Sequence, residues 1–309
     1  MSERPEMSER PEMSERPEMS ERPEMSERPE MSEQPKMSER PATSEWRALS
    51  GPLAAEQLGA EGAPSMTFVH GFAQTGNSWK PIAEYFAAQG FLVTVVDLPG
   101  HGNSAQVRAD LRRTADMLSA IGDTGTYVGY SLGGRACLHL ALLYPNLVDQ
   151  LVVLGANPGI DDAGLRATRR DADDALDARM NEIGLEAFLQ EWAAQPLFGG
   201  LALTDGQQAD RLRNTTEGLG SSLRLAGIGA QGSLWPRLRE LNMDVLALAG
   251  ADDDKFSAIA RQIAEAVPSG RFLLIPDAAH AAHLQQPEAV ATAIAAFVKS
   301  SPETIGRLN

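Results

Sequence analysis

The pentapeptide Gly129-Tyr130-Ser131-Leu132-Gly133 decides the fold, because of what stands on either side of it. Thr126 to Tyr130 is a short β-branched and aromatic run that reads as a buried strand. Leu132 to Tyr144 then carries a helical apolar pattern that Pro145 stops. A strand-to-helix turn with glycine on both sides of a serine can be sharp enough to present the hydroxyl at the sheet edge. A Cβ on either glycine would obstruct that turn. The serine also falls at the start of the helix, where free N–H groups and the dipole favour negative charge. G-x-S-x-G recurs by chance, and a tight turn with a bystander serine is the competing reading. The strand and helix around it are what give the pattern its weight.

Outward from the pentapeptide, apolar runs alternate with helical patterns. Met66–Val69, Phe91–Val96, Leu151–Leu154, Val245–Ala249 and Phe272–Ile275 read as further strands. Helices are expected over Ser78–Ala88, Val107–Ala120, Ser257–Ala266 and Pro287–Lys299. This alternation predicts an α/β fold: a mostly parallel sheet with helices on both faces. The interval from Asn157 to Arg239 breaks the rhythm. It is rich in Arg, Asp and Ala, helical in pattern and without a convincing strand. Residues 157–239 are therefore expected to be a helical cap inserted into a core of 43–156 and 240–309; ordinary helices on the sheet faces are the alternative.

Residues 1–42 are seven copies of a six-residue unit, five of them Met-Ser-Glu-Arg-Pro-Glu. One weakly apolar residue and one proline per unit can neither bury a core nor sustain a helix, so this tail is expected to be disordered. An interaction arm is the other reading.

With 309 residues, 43 % of them hydrophobic, the rest can bury one large core or two small ones without covalent staples. No apolar run reaches the ~18 residues of a membrane span, and the polar, acidic N-terminus does not read as a secretory signal. Cys137 is the only cysteine, which excludes an intrachain disulfide and fits a reducing, cytoplasmic setting. A net charge of −15 argues against a general binder of nucleic acid or anionic membrane. The expected partner is a small molecule, and the expected state a monomer or small homo-oligomer.

A serine needs a base to react at neutral pH, and the base needs an orienting acid. His280 stands five residues after Ile275, and Asp252, Asp253 and Asp254 follow the strand ending at Ala249. Both loops fall on the ligand-carrying edge of an open α/β sheet, in the chain order serine, acid, histidine. Spacing alone does not choose among the three aspartates. His283 is a lesser candidate for the base. The H-x-x-H pair lacks a third ligand nearby, so no metal and no cofactor is expected. His70-Gly71-Phe72 follows the first buried strand, where such folds place one oxyanion-hole N–H; Phe72 and Leu132 are the expected donors. His70 and His101 read as structural turn residues, and Cys137 as a small buried filler.

Arg135 lies one helical turn beyond Ser131, where a cation opposes the helix dipole at a cost of roughly 0.3–1 kcal/mol. Either a ligand anion or a buried carboxylate should answer it. The cap interval adds Arg166, Arg169, Arg170, Arg179, Arg211, Arg213 and Arg224. Most should be solvated or paired with Asp171, Asp173, Asp174 and Asp177, while two or three could converge over the serine. A small polycarboxylate substrate follows as an expectation.

These residues resemble one branch of the α/β-hydrolase family, the menaquinone-pathway synthases of 2-succinyl-6-hydroxy-2,4-cyclohexadiene-1-carboxylate. The resemblance spans Met66 to Val298. It is carried by Val69–Phe72, Asp97–Ser104, Val128–Arg135, Gly155-Ala156-Asn157-Pro158-Gly159, Trp192–Phe198, Gly250–Phe256 and His280-Ala281-Ala282-His283. It implies Ser131, Asp253 and His280 as the catalytic set, and Arg135, Arg169, Arg213, Tyr130 and Trp192 as substrate contacts. The chain departs from the family at Asn157, where His or Ser is usual. The implied reaction is a 2,5-elimination of pyruvate from a carboxylated cyclohexene, with Ser131 acting as base. The rival readings are a serine esterase or carbon–carbon bond hydrolase of the same fold, and a noncatalytic ligand receptor.

Overall fold

In a computed structural model, residues 45–299 are described. The hexapeptide tail expected to be disordered, residues 1–42, lies outside them. Eight strands form one sheet in the order β1-β2-β4-β3-β5-β6-β7-β8. They are β1 (Arg47–Leu49), β2 (Ala55–Leu58), β3 (Ser65–Val69), β4 (Leu92–Val96), β5 (Gly125–Tyr130), β6 (Val148–Leu154), β7 (Asp244–Gly250) and β8 (Gly270–Ile275). From β4 to β8 every neighbouring pair is parallel, and β1 and β2 form an antiparallel edge. The two edge strands are not expected from the sequence. Ala55-Glu56-Gln57-Leu58 offers only two apolar residues, and Gln57 is buried because Thr94 and Arg47 take up its side-chain bonding.

Helices α1 (Lys80–Ala88), α2 (Leu111–Ser119) and α3 (Leu132–Leu143) connect the early strands. α2 starts later than the apolar pattern suggests, because the Asp110 carboxylate caps it by accepting from the Arg113 N–H. Between β6 and β7 stand α4 (Ala163–Ile183), α5 (Leu185–Ala193), α6 (Asp205–Arg211) and α7 (Thr216–Ala226), with no strand among them. The C-terminal elements are α8 (Asp254–Ala266), the short α9 (Ala282–Gln285) and α10 (Pro287–Lys299). One sheet face packs Leu118, Leu138 and Ile263 from α2, α3 and α8. The other packs Phe86 and Ile294 from α1 and α10 against Phe68 of β3. Each such fully buried large side chain contributes about 1.5–3 kcal/mol, so the central strands are pinned from both faces.

Strand order reverses at β3: the chain moves outward to β4, then returns to place β5 on the other side of β3. That reversal opens a crevice at the carboxyl ends of β3 and β5, where ligands bind in open α/β sheets. Phe72 and Ser131 stand just beyond those two ends. A Cβ on Gly133 would lie 2.1 Å from the Val69 carbonyl oxygen, so α3 approaches β3 backbone to backbone. Gly133→Ala is therefore expected to cost more than ~3 kcal/mol or to prevent folding. Gly232→Ala, with open space around its Cβ, should change the melting temperature little. Equal melting of the two variants would contradict this packing.

Candidate active site

Ser131 is built as a strained turn. It holds φ +50° and ψ −106°, a region that costs a non-glycine residue of order 1–3 kcal/mol. Its N–H donates to the Leu154 carbonyl on β6 at 2.8 Å, and its carbonyl accepts from Arg135 N–H at 3.1 Å. Gly129 makes the turn possible, since a Cβ there would meet the Gly133 carbonyl oxygen at 2.5 Å. The hydroxyl is left pointing into a cleft beneath the 157–239 segment.

His280 reaches that hydroxyl from the loop after β8. Its Nε2 lies 3.2 Å from Ser131 Oγ, and its Nδ1 lies 2.9 Å from Asp253 Oδ2. Asp253 is the N-cap of α8, and its second oxygen Oδ1 accepts from the Phe256 N–H at 3.1 Å. Both carboxylate oxygens are thereby fixed, which holds the imidazole in one orientation. Asp253 and His280 are 6 % and 4 % exposed, whereas Asp252 and Asp254 face solvent. The structure thus brings one of the three aspartates to the histidine. Chemically, the chain of groups can draw the proton from Ser131 and stabilise the resulting imidazolium.

Phe72 and Leu132, the expected oxyanion donors, line the same cleft as Ser131. Neither the Phe72 nor the Leu132 N–H has a protein acceptor among the described residues. The loop carrying Phe72 is held by two buried histidines. His70 Nε2 accepts from Leu98 N–H while its Nδ1–H donates to Gly71. His101 Nε2 accepts from Ala73 N–H while its Nδ1–H donates to Pro99. Burial lowers their pKa values to about 4 and about 3, so both are neutral at pH 7. Because the unfolded chain protonates these rings near pH 6.5, the stability they support is complete above that pH and falls as pH drops toward 4 and then 3. At ~1.4 kcal/mol per unit, each ring should withdraw of order 2 kcal/mol by pH 5. Urea unfolding at pH 7 and pH 5 checks this; equal stability at the two pH values would contradict it.

The cleft is lined by Phe72, Tyr130, Trp192 and Phe256 and by four cations, Arg135, Arg169, Arg211 and Lys255. Trp192 packs edge-on against Phe72 with centroids 5.0 Å apart, and Phe256 lies 4.3 Å from the His280 ring. Arg135 meets no carboxylate directly among the described residues. Its Nη1 donates to Ala226 O at 2.7 Å and to Gln231 Oε1 at 3.0 Å, leaving Nη2 and Nε without an acceptor among the described residues. Desolvation, and then the neighbouring Arg169 cation, lower its pKa to about 9, still cationic at neutral pH. Arg169 pairs through Nε with the buried Asp173 at 2.8 Å, the i, i+4 partner available on α4. Arg224 likewise meets Asp177. Asn157 lines the same cleft and accepts from the Gly159 N–H through Oδ1.

Arg213 is not among the residues that line the cleft. Its guanidinium binds Asp210 at 2.9 Å and lies 3.7 Å from Asp97. Asp210 also accepts from Thr75 and Asn77, and Asp97 accepts from Gly76 and Asn103 N–H groups. Arg213 therefore serves this link between α6 and the loops after β3 and β4. Two residues before it, Arg211 enters the cleft instead. Nothing in the spacing of the cap arginines distinguishes the two. Gln74 and Lys255 also line the cleft. Lys255 stands in the stretch Gly250–Phe256 that carries the resemblance, but Gln74 leaves no sequence signal beyond its place two residues after Phe72.

The α/β hydrolase fold family matches residues 64–287. The chain belongs to the α/β-hydrolase family. Within it, this hydrolase-fold enzyme groups with the 2-succinyl-6-hydroxy-2,4-cyclohexadiene-1-carboxylate synthases. A putatively assigned synthase of that name from Bacillus subtilis is 30 % identical over 256 residues, covering 78 % of this chain and 93 % of the relative. The synthase from Salmonella paratyphi C is 33 % identical over 252 residues, covering 78 % and 96 %. Among solved structures, MenH from S. aureus superimposes with a TM-score of 0.73 at 28 % identity, covering 79 % of this chain and 97 % of that one. An esterase from Thermogutta terrifontis, at 22 % identity and TM-score 0.68, shares the fold.

Proposed function

We propose that this α/β-hydrolase acts in menaquinone synthesis as a lyase, eliminating pyruvate from 2-succinyl-5-enolpyruvyl-6-hydroxy-3-cyclohexene-1-carboxylate to give 2-succinyl-6-hydroxy-2,4-cyclohexadiene-1-carboxylate. The observation that carries the reading is a serine–histidine–aspartate relay opening into a cleft with Arg135, Arg169, Arg211 and Lys255 on its walls. A hydrolase of neutral esters has no use for four cations. A substrate bearing several carboxylates does, because desolvated guanidinium–carboxylate pairs are both strong and directional.

His280 takes the Ser131 hydroxyl proton, and Asp253 stabilises the imidazolium. The serine oxygen removes the ring C2 proton next to the succinyl carbonyl. The electron pair forms C2=C3, the C3=C4 pair shifts to C4=C5, and the C5–O bond to the enolpyruvyl group breaks. The departing enolate becomes pyruvate on protonation at carbon, and the imidazolium returns the proton balance. Negative charge on the succinyl carbonyl oxygen is met by the Phe72 and Leu132 N–H groups. Tyr130 and Trp192 form the apolar wall for the ring. Residues 157–239 act as the cap that keeps water from the carbanion.

The test is pyruvate release from freshly prepared cyclohexene substrate, coupled to lactate dehydrogenase. The purified chain should release one pyruvate per substrate consumed. Absence of pyruvate, together with burst hydrolysis of a simple ester, would point to an esterase.

A further inference from the structure

The cations around the cleft fall into two separate corners. Arg135 has Arg169 and Asp173 as its charged neighbours, whereas Arg211 has Tyr130 and Asp210. The Arg135 corner is tied to the protein through Ala226, Gln231 and Asp173. The Arg211 corner is not. Arg211 ends α6, is 4 % exposed, and has no side-chain hydrogen bond or ion pair among the described residues. The nearest acid, Asp210, is committed to Thr75, Asn77 and Arg213.

A buried guanidinium without an acceptor is costly unless something outside the chain supplies one. Two further donors face the same corner. Tyr130 is 2 % exposed and its hydroxyl has no acceptor among the described residues. Gln74, also 2 % exposed, is oriented by His283: the imidazole Nε2 lies 3.2 Å from Gln74 Oε1. A carbonyl oxygen can only accept, so Nε2 carries the proton and Nδ1 is left as a bare, buried acceptor. That arrangement requires a neutral ring, and burial together with the nearby Arg211 cation keeps His283 well below the ordinary histidine range. With its oxygen held by His283, the NH2 group of Gln74 has no acceptor among the described residues, and Gln74 lines the cleft.

We propose that Arg211, Gln74 and Tyr130 form a second carboxylate subsite, distinct from the Arg135–Arg169 corner, so that the cleft recognises molecules with two carboxylates held apart. His283 is a positioning residue for it, acting through Gln74. The subsite rests on the functional reading above in one respect only: it assumes the cleft takes a polycarboxylate.

Binding tests it without turnover. The probes are succinate, glutarate and adipate, each compared with its monomethyl ester, with dissociation constants taken from ligand-dependent melting of the full chain. The native chain should bind the best-fitting diacid at least tenfold more tightly than its monoester. Arg211→Met and Gln74→Leu should bring that ratio close to one and leave monoester affinity within twofold. Arg211→Met should also melt no lower than the native chain, because it removes a buried charge that no protein group neutralises; a purely structural arginine would lower it. A diacid preference that survives in Arg211→Met, or no preference in the native chain, overturns the subsite. If the ratio collapses as expected but no pyruvate is released from the cyclohexene substrate, the subsite stands and the elimination reading falls.

Discussion

Replacing Ser131 by alanine is expected to lower kcat/KM for pyruvate release by about 10³-fold or more, which is about 4 kcal/mol of transition-state stabilisation. The size follows from what the hydroxyl does. Without it, His280 Nε2 has no proton to withdraw, and water would have to act from an unoriented position. The loss should fall on kcat, since the cations and aromatic walls proposed to hold the substrate are untouched. Melting should change little, because alanine keeps the Cβ and the backbone bond to Leu154. Ser131→Gly should even melt higher, since glycine occupies φ +50° without strain. A Ser131→Ala variant within tenfold of native activity would remove the serine from the chemistry.

The second large effect is at Arg135. Arg135→Met should reduce kcat/KM by about 30-fold or more, the ~2 kcal/mol or above expected when a substrate carboxylate loses its guanidinium in an enclosed cleft. The residue also ties α3 to Ala226 and Gln231, so a structural contribution has to be separated. Gln231→Leu removes one of those bonds and leaves the guanidinium, and it should cost less than threefold in kcat/KM. If the two variants lose activity equally while melting alike, Arg135 is a strut rather than a substrate contact.

Much of this site could be read from the sequence, for physical reasons that also explain what could not. Ser131 was legible because a strained turn needs glycines at 129 and 133, and glycine spacing shows in a linear chain. His280 was legible because the last strand is apolar enough to locate the loop after it. Choosing among Asp252, Asp253 and Asp254 was not possible from spacing, since it depends on which carboxylate caps α8 and is thereby aimed at the imidazole. The Arg169–Asp173 pair follows from helical periodicity. Arg213 and Arg211 could not be separated, because one closes a seven-residue helix and the other stands in the turn just past it, and only packing against Asp97 and Tyr130 decides which enters the cleft. The β1–β2 edge was invisible for another reason: strands of three and four residues with polar partners have too few positions to show a period.

The central claim is that Ser131 removes a proton from carbon and is not acylated. The most direct measurement is single-turnover pyruvate release from substrate carrying deuterium at ring C2, against the protio compound. A primary isotope effect is expected, with slower release from the deuterated substrate by about twofold or more, in native enzyme at saturating protein. Identical rates for the two substrates, accompanied by a covalent adduct on Ser131 in quenched intact-mass spectra, would contradict it.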